Sequence, residues 1–451
     1  MKFKKYKKTK AVCPICLSII DAKVCLKNKN IKIVKTCKKH GKFEYPHLWN
    51  DPFIYEELGK IFKNSSKYPN GIIIDLTLRC NLNCPFCFAL GAEKKVKFYE
   101  PSIEEIIEKI KDFKKQVFFS TVFLFGGEPT LRTDLFEIIK KIKKLNLEVC
   151  LFTNGLKLAN LKYVKKLKEA GLDYVILQFD SLRDKTYEIL RGKKILKEKI
   201  NAIQNLKKEK IQTDIFAVIV KNVNDDEIKD IVLFSSKNAE IIKNVYISTI
   251  TYEGRYTHKF ENITNSERLK LIEKQLQITK KDFLECTEFD HYLVEFIKML
   301  TGIKCKRLSA CDIMCYLFSC NSNRIIPLNR IIHLKNLTKF FKESINLMTQ
   351  KSKVKYIRLL INFFRLILNQ KIILNSKYFL SILESIFPSF KPILYRRPIR
   401  NKFKRIFRVI ITQFQDRYNL DLDTFKYCNL WAEMPDGSIG PFCEKIIFKR
   451  C

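Results

Sequence analysis

Three cysteines, Cys80, Cys84 and Cys87, stand in the string Leu78-Arg79-Cys80-Asn81-Leu82-Asn83-Cys84-Pro85-Phe86-Cys87. Three thiolates on one short loop can hold three corners of a [4Fe-4S] cube, whose usual complement is four cysteines. One iron is then left open to chelate a substrate. A structural zinc loop and a redox thiol pair are the alternatives that this motif alone leaves standing. A second element narrows the choice. The run Thr121-Val122-Phe123-Leu124-Phe125 reads as a buried strand and ends in Gly126-Gly127-Glu128-Pro129. There two glycines let backbone approach a ligand closely and Glu128 adds an anion.

These residues need a frame that brings them together. The cysteine loop follows the strand-like residues 71–76, and further strands over residues 147–152, 174–179 and 215–220 end in polar residues. Those endings are Thr153-Asn154-Gly155, Asp180-Ser181 and Lys221-Asn222-Val223-Asn224. Lys-rich helical stretches, such as residues 101–115 and 135–145, lie between them. Strand and helix alternate, which predicts a parallel sheet with crossover helices and a site at the carboxyl rim of a partial barrel. In this order the motifs resemble the radical S-adenosylmethionine (SAM) superfamily. The resemblance implies an α/β fold with a partial (β/α)6 TIM-type barrel. It also implies a cluster on Cys80, Cys84 and Cys87 whose open iron takes the amino and carboxylate groups of SAM. An electron from the cluster then cleaves SAM to a 5′-deoxyadenosyl radical. Gly126, Gly127, Glu128 and Pro129 match the element that receives the ammonium of SAM, and Asn154, Asp180 and Ser181 are placed to complete the cofactor site. Asp180 and Ser181 are equally suited to capping the helix that begins near Asp184.

The chain has 451 residues, 46% hydrophobic and 12% aromatic, enough for two or three cores. Its 16 cysteines fall in groups, and the basic first ten residues lack the apolar region of a signal peptide. Grouped cysteines without a leader point to metal sites in a reducing compartment rather than disulfides. Near the amino terminus stand Cys13-Pro14-Ile15-Cys16 and Cys37-Lys38-Lys39-His40, joined by a hairpin-like stretch that turns at Asn28-Lys29-Asn30. This is the pattern of a zinc ribbon or rubredoxin-type site for one zinc or iron ion. Cys25 competes with His40 for the fourth place. Period-two alternation on its strand sets Cys25 on the lysine face, which favours His40.

Eight further cysteines follow at 286, 305, 311, 315, 320, 428, 443 and 451. Their number permits one or two auxiliary [4Fe-4S] clusters. Cys311 and Cys315 have the close spacing of a cluster loop. Cys320 instead reads as part of a hairpin strand that turns at Asn321-Ser322-Asn323. Cys150 lies within a core strand and reads as a small hydrophobe. Cys428 and Cys443 flank a Pro435-Asp436-Gly437 turn, and Cys451 is placed to complete their site. The expected organisation is therefore a metal-knuckle domain at 1–50, a radical SAM core at 68–265 and an auxiliary-cluster segment at 266–330. A basic amphipathic helical region at 331–415 and an auxiliary-cluster hairpin at 416–451 complete it.

The amino-terminal knuckles, Asp51-Pro52, the cysteine loop, Glu253-Gly254-Arg255, Cys311-x3-Cys315-Tyr-Leu-Phe and Pro435-Asp436-Gly437-Ser438-Ile439-Gly440-Pro441-Phe442-Cys443 occur in one order. That order resembles the tetraether lipid synthase group. The narrower resemblance implies hydrogen abstraction from unactivated carbons of a long-chain, isoprenoid diether-type lipid and the joining of two chains by a carbon-carbon bond. Its partners would be SAM, that lipid and a reduced electron donor such as ferredoxin or flavodoxin. The chain departs from the group's pattern between Cys286 and Cys311 and in an insertion over residues 334–414.

Within the insertion, Arg358, Asn362, Arg365 and Asn369 fall on one narrow stripe of an otherwise apolar helix. Such a helix is either a packed core element or an interfacial wall beside bases that suit anionic headgroups. No run of 18 apolar residues occurs, so the expected location is cytoplasmic, with peripheral membrane contact as the corollary of the lipid reading. The net charge is 85 minus 47, or +38. A balance so basic raises RNA modification as a second reading. However, the lysines are spread over nearly every helix instead of gathering into a nucleic-acid module. A radical SAM peptide-modifying enzyme is a third reading, and a non-enzymatic iron-sulfur or zinc adaptor a fourth. The adaptor reading does not account for Gly126 to Pro129 at the end of a strand.

Overall fold

The computed structural model describes residues 4–63, 65, 68–92, 99–257, 260–302, 304–321, 324–349 and 406–448. The stripe helix expected at 354–370 and Cys451 lie outside the described residues. Alternating basic and apolar residues fold first into a four-stranded antiparallel sheet, β1 (Lys4–Val12), β2 (Ile19–Lys27), β3 (Asn30–Cys37) and β4 (Gly41–Pro46). Asn28 and Lys29, at φ of 50° and 61°, turn β2 into β3 as their sequence suggests. The helix α1 (Pro52–Phe62) starts where Asp51 accepts the amides of Phe53 and Ile54 and proline occupies the first turn.

The next strands are β5 (Gly71–Thr77), the two-residue β6 (Phe86–Cys87), β7 (Thr121–Gly126), β8 (Glu148–Thr153), β9 (Tyr174–Gln178), β10 (Gln212–Val218) and β11 (Ile242–Ser248). All but β6 pair side by side in parallel, in the order β5-β7-β8-β9-β10-β11. This is the expected six-stranded partial barrel. Its sixth strand, β11, hides in the sequence because Lys243 and Asn244 interrupt the apolar run. The helices α2 (Ile103–Gln116), α3 (Leu135–Lys143), α4 (Leu161–Glu169), α5 (Asp184–Arg191), α6 (Leu196–Lys208) and α7 (Ile228–Lys237) cover the outside. In α2, Ile106, Ile110 and Phe113 at helical spacing are buried, and a Ser102–Glu105 capping box fixes its start.

A short β12 (Arg255–Tyr256) pairs with β6, and α8 (Asn265–Leu276) and α9 (Lys280–Thr301) follow. Then come β13 (Ile313–Asn321), β14 (Arg324–Pro327), α10 (Leu334–Thr349), β15 (Ile406–Ile411), β16 (Leu430–Glu433), β17 (Ile439–Pro441) and α11 (Phe442–Phe448). The carboxyl-terminal part is built into the barrel. β15 lies parallel to β11 and β16 parallel to β5, so an eleven-stranded sheet gains strands at both edges. The span 331–415, expected to be helical, thus ends in a core strand, because Ile406-Phe407-Arg408-Val409-Ile410-Ile411 is rich in β-branched residues.

Register sorts the barrel interior into rows. Asp214, Asn244 and Arg408 align across β10, β11 and β15, and Phe216, Tyr246 and Ile410 align two residues further on. The amino-terminal sheet docks on the segment after β15. Thr9 donates to Asp421 at 2.5 Å, Lys7 pairs with the same carboxylate at 2.7 Å, and Lys35 donates to the Arg417 carbonyl at 2.5 Å. Among the described residues, no helix is long and apolar enough to cross a membrane.

Candidate functional site

Cys80, Cys84 and Cys87 lie together on the loop that leaves the carboxyl end of β5. Burial pushes the Cys80 thiol up to about 12 and raises that of Cys87. A cluster held here would take these thiols as thiolates, its iron charge offsetting the cost of burying them. Backbone closes around it tightly. A Cβ on Gly126, at φ +133°, would lie 2.2 Å from the Thr77 carbonyl, and one on Gly254, at φ +72°, 2.2 Å from that of Cys87. Only glycine permits these approaches. Gly254 belongs to the Glu253-Gly254-Arg255 string. It lets β12 pair with the cysteine loop while Arg255 Nε donates to the Cys84 carbonyl at 3.2 Å.

The polar residues of the rim are largely spoken for. Glu128, 1% exposed, accepts from Thr130 N at 3.2 Å, Thr130 Oγ1 at 2.6 Å, Thr153 Oγ1 at 2.7 Å and Asn154 N at 2.8 Å. It ties the ends of β7 and β8 together and keeps little free acceptor capacity for an ammonium. Asn154 reaches the cysteine loop, donating to Asn81 at 2.7 Å. Gly127 and Pro129 complete the turn, with the Gly127 amide bonded to the Thr77 carbonyl at 2.6 Å. Asp180 and Ser181 do not cap α5, the alternative considered for them. Asp180 is fully buried in a two-bond pair with Arg191, at 2.7 and 2.9 Å, and also accepts the Val218 amide. Ser181 donates to Glu227 at 2.5 Å, while the start of α5 has no side-chain cap. Both find protein partners, as buried polar groups must.

Two rim residues escaped the sequence reading. Arg191, held by Asp180, sits over the Phe86 ring at 5.0 Å and faces the Cys84 sulfur. Lys199 is fully buried and donates to the Asn154 carbonyl at 2.5 Å and to two oxygens of Gln178 at 2.7 Å each. Burial lowers its ammonium to about 7. Each lies on a helix with no motif around it, so only the tertiary fold reveals it.

A cavity of about 850 Å³ lies in the barrel, lined in part by the first residues of β8, β9 and β10, Glu148, Tyr174 and Gln212. Cys311, Cys428 and Cys443 line it together. The Gln415 backbone amide donates to Cys443 Sγ at 3.3 Å and its side chain to Cys311 Sγ at 3.3 Å. Burial raises all three thiols, and the three bear on one another electrostatically. Cys443 is buried and Cys311 and Cys428 half-buried; three thiols lining one cavity, two of them with amide donors to sulfur, could hold an auxiliary cluster. Cys315 does not join them. It lies within β13, whose alternation turns it into the apolar core, with Cys286 Sγ 3.9 Å away. The hairpin around Pro435-Asp436-Gly437 forms as expected, but Cys428 precedes β16 and Cys443 opens α11. An aromatic group separates the two cysteine sites: Phe88, next to Cys87, lies 6.1 Å from Phe442, next to Cys443, with Phe125 and Phe414 against both.

The amino-terminal knuckles meet. The donor atoms of Cys13, Cys16, Cys37 and His40 lie within 4.8 Å of one another. His40 Nδ1 is 3.5 Å from Cys13 Sγ and 3.6 Å from Cys37 Sγ, and Cys16 and Cys37 sulfurs are 4.0 Å apart. Ligands about 2.0 to 2.3 Å from a tetrahedral zinc would be separated by about 3.5 to 3.8 Å. Cys25 is buried outside this group, paired across the strand with Lys32.

The family model of the radical SAM superfamily matches residues 74–235, and that of the HMPTM N-terminal zinc ribbon domain matches residues 5–47. The chain is 32% identical to the 7,8-dihydro-6-hydroxymethylpterin dimethyltransferase of Methanocaldococcus jannaschii, over 97% of this chain and 92% of that one. It is 36% identical to a probable GTP 3′,8-cyclase of Pyrococcus abyssi over 39% of this chain and 55% of that one. Among solved structures, anSMEcpe with bound AdoMet covers 66% of this chain and 93% of its own, at 19% identity and a TM-score of 0.39. These relatives do not support the narrower resemblance to tetraether lipid synthases. The chain is a SAM-dependent radical enzyme with the [4Fe-4S] cluster characteristic of its superfamily. With one relation running through nearly the whole of both chains, this protein belongs to the radical SAM superfamily, in the family of the Methanocaldococcus jannaschii dimethyltransferase.

Proposed function

We propose that this chain transfers methyl groups to a reduced 6-hydroxymethylpterin by radical SAM chemistry. The observation that carries this reading is the near full-length relation to a protein named for that activity. In it, Cys80, Cys84 and Cys87 hold the reducing cluster, while Gly126, Gly127, Glu128, Pro129 and Asn154 shape the SAM site. Cys311, Cys428 and Cys443 hold an auxiliary cluster, and Cys13, Cys16, Cys37 and His40 hold one zinc or iron ion. When bound, the cluster and SAM supply a 5′-deoxyadenosyl radical. The chain's own residues position and enclose: Glu128 and Asn154 fix strand ends against the cysteine loop, and Phe88 packs with Phe125, Phe414 and Phe442 beside it. Residues 1–50 form the metal-knuckle unit and 68–265 the radical core. The segments 266–330 and 416–451 supply the auxiliary cysteines, and 331–415 joins them.

The lipid reading fits less well. The cavity wall carries Asp214, Asp290, Asp312 and Arg408, and burying such groups against an alkyl chain is unfavourable. Its interfacial helix falls outside the described residues. The test is 5′-deoxyadenosine formation by anaerobically reconstituted protein with SAM and a low-potential reductant. Addition of 7,8-dihydro-6-hydroxymethylpterin should accelerate it, and a dialkyl glycerol ether lipid should not. The reverse pattern would overturn the proposal.

A further inference from the structure

In a filled (β/α) barrel the inward rows carry branched aliphatic side chains. Here one row reads Asp214, Asn244, Arg408 across three adjacent strands, and all three line the cavity. Asn244 holds the other two apart. Its backbone amide and Nδ2 donate to the two Asp214 oxygens, at 3.2 and 2.8 Å, one bond to each, and its Oδ1 accepts from Arg408 Nε at 2.6 Å. A structural ion pair would have closed Asp214 directly on Arg408, but among the described residues they form none. The terminal nitrogens of Arg408 donate to no described residue. Beside Arg408, whose cross-strand neighbour is Tyr316, Asp290 is 3% exposed and accepts the Tyr316 hydroxyl on one oxygen at 2.6 Å. Its other oxygen takes no hydrogen bond from the described residues.

Buried charges left this way are costly, and a ligand that pairs with them recovers the cost. The next row up supplies flat apolar surface. Phe216 stacks on Tyr246 at 5.9 Å and on Phe414 at 6.2 Å. Together the two rows ask for a flat ring with N–H donors beside a carbonyl on one edge. A pterin has that edge: its 2-amino group and N3–H donate, and its 4-oxo group accepts.

Resting on the pterin reading, we infer that Asp214, Asn244 and Arg408 form the recognition edge for the substrate ring. Asp214 accepts from the 2-amino and N3–H donors, Arg408 donates to the 4-oxo oxygen, and Asn244 sets their spacing. A carboxylate facing two parallel N–H donors is a strong and geometrically selective pair. Asp290 lines the same cavity as a further acceptor.

Binding of 7,8-dihydro-6-hydroxymethylpterin to the reconstituted holoenzyme tests this, beside an analogue whose 2-amino group is replaced by oxo. Wild type should prefer the parent by at least about tenfold, the worth of a hydrogen bond to a charged group. Asp214→Asn should lose at least about tenfold for the parent and erase the preference while retaining its iron. Arg408→Gln should weaken both ligands alike. A folded Asp214→Asn protein with wild-type affinity and preference would overturn the assignment. If that variant does not fold, equal binding of the two ligands to wild type would overturn it instead. Failure of wild type to bind the parent pterin at all would strike the pterin reading itself, and the recognition edge with it.

Discussion

The two ends of the barrel treat polar residues in opposite ways. At the carboxyl rim, Glu128, Asp180, Ser181 and Lys199 are buried and saturated by protein partners, with Lys199 alone making three donations. In the cavity, Asp290 keeps an oxygen and Arg408 its terminal nitrogens that no described residue uses, and among the described residues Asp214 accepts only from Asn244. Rim residues named for the SAM site thus also brace the strand ends around the cysteine loop. Cavity residues that look like interruptions of strands are the ones left open to a ligand. Polar identity alone does not separate the two; partnership does.

The largest expected effect attacks the rim. Cys84→Ala removes one of three thiolates, so 5′-deoxyadenosine formation should fall to background and iron content should drop. Wild-type yield would refute the assignment of that loop. Asp180→Ala strands the buried Arg191 guanidinium, and breaking such a pair costs about 3–5 kcal/mol. Denaturant unfolding should show that loss; an unchanged midpoint with a raised KM for SAM would make Asp180 a cofactor ligand instead. The amino-terminal sheet leans on the segment that carries Gln415 and Asp421. Cys13→Ser should therefore release about one equivalent of zinc or iron and loosen residues 4–46, read by metal analysis and proteolysis.

The smallest effect is a pH dependence that sharpens the cavity side. Burial raises the Asp214 carboxyl to about 6, against the hydrogen bond from Asn244 and the charges of Arg408 and Lys306. Tyr174, Tyr246 and Cys150 are the other titratable groups that bear on it. The folded value lies above the unfolded one, so ligand-free stability falls as pH rises from about 4 to 6. Pterin binding needs the ionised carboxylate. Affinity should then fall about tenfold per unit below pH 6, and Asp214→Asn should flatten that slope.

Much of the rim was legible because its chemistry is local. The C-x3-C-x2-C spacing, the Gly-Gly-Glu-Pro turn and the alternation of strand and helix each sit within a few residues, and the zinc-knuckle spacing is equally compact. For Asp180 and Ser181, a strand-end position says nothing about which protein partner the fold brings. Cys315 misled because four-residue spacing from Cys311 resembles a loop, whereas the strand continuing through Leu317 turns it into the core. The cavity was illegible. Asp214, Asn244 and Arg408 come from strands up to 194 residues apart, by the difference of 408 and 214, and each spoils the apolar pattern of its own strand. Substrate choice is written in those distant rows. The motifs at both ends of the chain report metal sites, which is why they pointed to a lipid.

The central claim is that this chain methylates a reduced pterin. The most direct measurement is mass spectrometry of pterins extracted from a bacterial host that makes 7,8-dihydro-6-hydroxymethylpterin, expressing either wild type or Cys84→Ala. Methylated pterins from wild type and none from Cys84→Ala are expected. Unmethylated pterin alone, from cells whose wild-type protein carries its clusters and cleaves SAM, would contradict the account.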